Sequence, residues 1–209
     1  MADVTRDDVA FIRQVTEAAR GAPLLGGRFL LLWGGLLFVA YVAHWGIASG
    51  ALGVSGWGFA VVWGAFGLAG GFGTAILARG LAGKPGRGTV GNRVDAAVWN
   101  GSGLALFAYA GTAILAAATG RAPYLAVDLI MPVAFGLYGT AFLATAEASG
   151  QRWLRGFGIA AFVFAAGAVW LSGGAAQYLW GALGALCVAA LPGLLLLRRE
   201  PPALPREAG

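Results

Sequence analysis

Asn92, Asp95, Trp99, Ser102 and Tyr109 recur every three or four residues in a stretch that is otherwise oily. At about 100° per residue they share one helical face with Leu106, while Asn100 sits well round from them. Lipid offers no hydrogen-bond partner, so a polar stripe on an apolar helix must face protein or water. Two chemistries are open to it. Asp95, Ser102 and Tyr109 could line a path for a small, largely uncharged solute, with Arg93 at its mouth and Asn100 joining only a wide path. Alternatively, Asp95 lies in the headgroup region and caps the helix start, and Ser102 and Tyr109 hold helices together. The second is the expected reading, because Asp95 stands within a turn of the interface.

Other reactive groups are sparse. His44 is the only histidine, too few for bis-histidine haem ligation or a histidine-rich metal site. It sits near the end of an apolar segment beside Trp45, where a residue of an interfacial aromatic belt is expected and a pH sensor is the sharper alternative. Lys84 is the only lysine and falls in a loop, so no helix can carry a retinal Schiff base. Gly83-Lys84 is followed by proline and lacks the glycine of a P-loop. No serine stands in a Gly-x-Ser-x-Gly elbow. Cys187 is alone, which excludes an internal disulfide and a cysteine-based metal site. No acidic pair falls at mid-membrane depth to carry protons or cations. The expectation is therefore no cofactor, no metal and no catalytic residue.

The elements that must position these residues are membrane helices. The chain is 59% hydrophobic and only 11% charged over 209 residues, against about 25% charged in soluble domains. Residues 29–78 contain no Asp, Glu, Lys or Arg. A crossing needs roughly 20 apolar residues, so this run holds two helices and a turn. Continuing the pattern predicts an all-α, polytopic bundle of six transmembrane helices, at about 28–48, 57–79, 94–118, 125–147, 156–172 and 176–197. Residues 28–198 then form the membrane domain, and residues 199–209, with Pro201, Pro202 and Pro205, form a disordered cytoplasmic tail. If the N-terminus is cytoplasmic, the inside segments 1–28, 79–93, 148–155 and 198–209 contain 13 of the 14 Lys and Arg residues, and only Arg121 lies outside. That asymmetry is the signature of a cytoplasmic-type inner membrane with both termini inside. It also accounts for the net charge of +5 without a nucleic-acid partner.

Residues 1–27 carry no apolar core of a signal peptide. Residues 5–20 read as a short amphipathic helix with Val9, Ile12 and Val15 on its less polar side. Over residues 1–20, Arg6, Arg13 and Arg20 are outnumbered by Asp3, Asp7, Asp8 and Glu17, so a protein partner suits this segment better than anionic lipid. The second apolar segment carries a small-residue seam, Ala60, Gly64, Gly67, Gly71 and Thr74, continued by Ala78. Small residues let backbones approach closely. The seam is expected to pack on a neighbouring helix of the same chain, with homo-oligomer formation as the functional alternative. Ala48-Ser49-Gly50 and Ala148-Ser149-Gly150 echo each other three helices apart, as inverted repeats do, although chance also produces such tripeptides in a Gly/Ala-rich chain. Together these features describe a bilayer-embedded helical protein, read first as a non-enzymatic accessory, assembly or regulatory subunit and second as a solute facilitator or transporter.

Overall fold

The computed structural model describes residues 8–10, 22–81 and 83–202, which are helical or in turns, with no strand among them. The helices are α1 (Gly27–Ala48), α2 (Gly58–Arg79), α3 (Val90–Ala118), α4 (Leu125–Asp128), α5 (Ile130–Ser149), α6 (Leu154–Trp170), α7 (Ala176–Ala185) and α8 (Leu191–Leu197), with a π-helical segment at Leu186–Ala190 between the last two. Five stretches are long and apolar enough to cross a membrane: Gly27–Ala48, Gly58–Arg79, Val90–Ala118, Leu125–Ser149 and Ala176–Leu197. The sixth apolar helix, α6, has 17 residues and is the shortest of the set. The chain is thus an all-helical membrane bundle. Most of the amphipathic segment expected at residues 5–20 lies outside the described residues.

Local chemistry explains the departures from the expected boundaries. α3 begins at Val90 rather than at 94 because Thr89 caps it, its hydroxyl accepting from the Asn92 N–H at 3.5 Å. Asp95 therefore does not cap its own helix. The fourth stretch is broken at Leu129, between α4 and α5. Pro132 has no N–H to bond the carbonyl of Asp128, so the ladder fails there. The last stretch, expected as one helix, carries its π segment immediately before Pro192. Proline at 192 leaves the Val188 carbonyl without its usual donor, and a local shift to wider turns accommodates the gap.

α1 lies along α7, the π segment and α8, α5 packs on both α6 and α3, and α2 packs on α1. Glycines set the closest approach. A Cβ at Gly34 would collide with the Ala190 backbone nitrogen, and one at Gly193 would come to 2.5 Å from the Leu31 nitrogen. The expected seam does not do this. Ala60, Gly64, Gly67 and Gly71 are exposed, and a Cβ at Gly64, Gly67 or Gly71 would meet nothing within 4 Å. Among the described residues the seam thus makes no intramolecular contact, Thr74 excepted, whose hydroxyl accepts from Trp33 Nε1 at 3.0 Å. α2 instead meets α1 through Gly70 and Gly73, which lie under the Trp33 and Leu32 side chains. Knobs on α1 choose which glycines of α2 become holes, and they take the pair beside the expected one.

Two apolar cores stack along the bundle. One gathers Leu37, Tyr41, Met131, Phe135 and Val188. The other gathers Leu24, Leu30, Phe142, Ala146, Leu154 and Leu196.

Candidate functional site

Polar side chains collect at the two ends of the bundle. At the basic end, Asn92 is the hub. The Leu25 N–H donates to its Oδ1 at 2.8 Å, and its Nδ2 donates to the carbonyls of Pro23 and Gly86, each at 2.9 Å. One buried amide thereby ties the first turn of α3 to the segment leading into α1 and to the loop before α3. One turn on, Asp95 is only 7% exposed. Its Oδ1 accepts from the Thr145 hydroxyl at 3.0 Å. Its Oδ2 lies over Gly26, where an added Cβ would come to 2.5 Å. The carboxylate thus stands at the start of α1, the positive end of that helix dipole.

Glu200 closes the same end. Its side chain is 3% exposed and pairs with Arg28 and, at 2.9 Å, with Lys84. Lys84 Nζ also donates to the Pro201 carbonyl at 2.9 Å. Arg199 lies over the Trp153 ring at 4.8 Å. Residues 199–201 are therefore held against the bundle rather than forming the start of a disordered tail, because Glu200 is the counter-charge for two cations far away in the chain, Arg28 in the first turn of α1 and Lys84 in the loop before α3. Residues 203–209 lie outside the described residues. Two open recesses flank this end. One of about 260 Å³ is lined by Ala146, Glu147, Gly150, Arg152 and Arg155, and one of about 420 Å³ is lined by Pro23, Leu24, Gln151, Trp153, Leu196 and Arg199.

At the opposite end, Trp63 Nε1 donates to His44 Nδ1 at 2.9 Å. The His44 ring stacks on Tyr178 with centroids 3.6 Å apart, and the Tyr178 hydroxyl donates to Asp128 Oδ1 at 3.0 Å. Gln177, fully buried, donates from Nε2 to the Asp128 carbonyl at 2.8 Å. That carbonyl is the one Pro132 leaves free, so a side chain from α7 replaces the missing rung. His44 is thus a packing residue shared by three helices. The rings of Phe59, Trp63 and Tyr178 pack around it.

The expected stripe is brought to one side of α3, against α5. Asn92 and Asp95 are buried, and Trp99 packs on Tyr138 at 5.2 Å and Phe142 at 5.1 Å. Ser102 is half-buried, and the Tyr109 hydroxyl donates to the Ala126 carbonyl at 3.2 Å. Asn100 is exposed on the other side. Aromatic rings occupy the space beside the stripe where a solute path would run. Sequence reasoning missed Glu200, Thr145, Gln177 and the Trp63–His44–Tyr178 contact. The signals were a lone amide in the last apolar stretch and a proline, Pro132, that frees the Asp128 carbonyl 49 residues away in the chain from Gln177. Among the described residues no three His, Cys, Asp or Glu side chains converge to hold a metal. Comparison with protein-family models, with characterised proteins and with solved structures finds no match.

Proposed function

We propose that this protein is a non-enzymatic assembly or regulatory subunit of a cytoplasmic-type membrane, crossing it six times with both termini inside. The observation that carries this reading is the division of labour between the two sides of the outer helices. Asn92, Asp95 and Tyr109, which face the bundle, have protein partners, while the seam Ala60, Gly64, Gly67 and Gly71 faces outward with open space beside its glycines. A surface of that kind lets the backbone of another transmembrane helix come close, and close packing is what drives association in lipid. The solute-path reading is disfavoured by Trp99, Tyr138 and Phe142, which fill the space beside the stripe.

The test is disulfide or photo-crosslinking from α2 in native membranes. Probes placed beside Gly67 should capture a transmembrane partner, and Gly67→Leu should abolish capture while leaving melting of the purified bundle unchanged. Flux of a small solute through liposomes containing the purified protein, lost on Ser102→Leu, would overturn the proposal in favour of transport.

A further inference from the structure

Asn100 is an exposed polar residue of α3 that the bundle does not use. It follows Trp99, whose ring packs on Tyr138 and Phe142. Those two stand 11 and 7 residues before Ser149, the basic-end terminus of α5, which is roughly 16 and 10 Å along the helix at 1.5 Å per residue. Asn100 therefore lies within the hydrocarbon, too deep for its short side chain to reach the headgroups. It is exposed, and it takes no part in the hydrogen bonds that engage Asn92, Asp95 and Tyr109 on the other side of the helix. An amide facing lipid leaves its donors and its acceptor without partners, which is unfavourable there.

The surroundings of Asn100 suit another helix. Ala96, Ala97 and Gly103 flank it on the exposed side, and a Cβ at Gly103 or Gly101 would meet nothing within 4 Å. Leu104 and Phe107 follow on the same side, 72% and 81% exposed. Small residues around a polar one, bordered by large apolar ones, give close approach and an apolar rim.

We infer that Asn100 pairs with Asn100 of a second copy of this chain, forming a symmetric dimer through α3. A primary amide carries both a donor and an acceptor, so two of them close a reciprocal pair of N–H···O bonds. A twofold axis along the membrane normal brings the same residue to the same depth, because both copies insert in the same orientation. A different partner would need a complementary polar group at that one depth, which the second copy supplies by construction. Buried asparagines in helical seams fix register and oligomeric state in just this way. The inference rests on the assembly reading above but uses α3, not the α2 seam.

The experiment is a dilution series of the full-length protein in phosphatidylcholine vesicles, with dimer followed by energy transfer between labelled copies. Wild type should show a dimer that dissociates as lipid is added. Asn100→Leu should weaken it about tenfold, Gly103→Leu should weaken it by separating the backbones, and Asn100→Gln should restore most of it. In a Cys187→Ala background, Ala97→Cys should form an intermolecular disulfide with oxidant. Energy transfer that stays at background throughout overturns the inference, as does a dimer unchanged by Asn100→Leu. If Gly67→Leu removes the dimer and Asn100→Leu does not, the α2 seam is the self-association face and the assembly reading survives without this one. If neither variant matters and α2 probes capture nothing, both fall.

Discussion

Asn92 and Glu200 show what a single polar side chain does when it is shared among distant segments. Asn92 satisfies the N–H of Leu25 and the carbonyls of Pro23 and Gly86. Asn92→Leu leaves these buried groups without partners, at about 1–3 kcal/mol for each that water cannot reach. The expected result is a bundle that melts in detergent well below wild type with its helix content retained, read by circular dichroism. An unchanged melting curve would mean that water replaces the amide. Glu200 neutralises Arg28 and Lys84 where all three side chains are at most 15% exposed. Removing one partner of a buried ion pair costs about 3–5 kcal/mol because the remaining charges stay desolvated. Glu200→Ala should therefore destabilise strongly, and the double variant Glu200→Ala with Lys84→Met should recover part of the loss. Equal melting of the single and double variants would refute the coupling.

Among the elements, glycine has two opposite roles on neighbouring helices. Gly34 of α1 has no room for a Cβ against Ala190, whereas Gly67 and Gly71 of α2 have open space. Gly34→Ala should weaken the contact between α1 and the π-helical segment and lower stability. Gly71→Ala should be neutral or raise stability by up to about 1 kcal/mol, since alanine is the better helix former at an unstrained position. Equilibrium unfolding of both variants in mixed detergent checks the contrast, and a fall in stability for Gly71→Ala would place an unseen neighbour on that side. The echo of Ala48-Ser49-Gly50 and Ala148-Ser149-Gly150 is also explained at this scale. Gly50 and Gly150 have φ of 77° and 70°, each in the left-handed conformation that ends a helix and that glycine adopts without strain. Shared helix-ending chemistry is enough to produce the likeness.

For the whole molecule, the side-chain contacts make the two ends chemically distinct. Arg28, Lys84, Glu200, Arg199, Trp153 and the Glu147–Arg155 pair lie at or beside one end, and His44, Asp128 and Tyr178 lie at the other. In the topology proposed above the basic end faces inward, the side that the positive-inside rule favours for Lys and Arg. Fusions of a cytoplasm-active reporter after Lys84 and after Gly209 should be active, and a fusion after Gly120 inactive. Activity at Gly120 would rule out six crossings with both termini inside.

The sequence by itself determined the solvent. Fifty residues without a charge, and an apolar composition throughout, leave no other home for these helices, and the 3.6-residue period alone placed Asn92, Asp95, Trp99, Ser102 and Tyr109 on one side of α3 and Asn100 off it. Period tells which residues share a side but not what that side meets. In lipid the hydrophobic effect does not distinguish a helix facing another helix from one facing acyl chains, so shape and hydrogen bonding decide. Hence only the tertiary structure decided that Trp33 and Leu32 would seat on Gly70 and Gly73 and leave Gly64, Gly67 and Gly71 open. It also decided that Glu200 would be drawn out of a proline-rich tail by two cations, Arg28 and Lys84, and that His44 would pack against Trp63 and Tyr178. Each outcome depends on a contact between segments far apart in the chain, and no local pattern encodes which distant side chain will arrive.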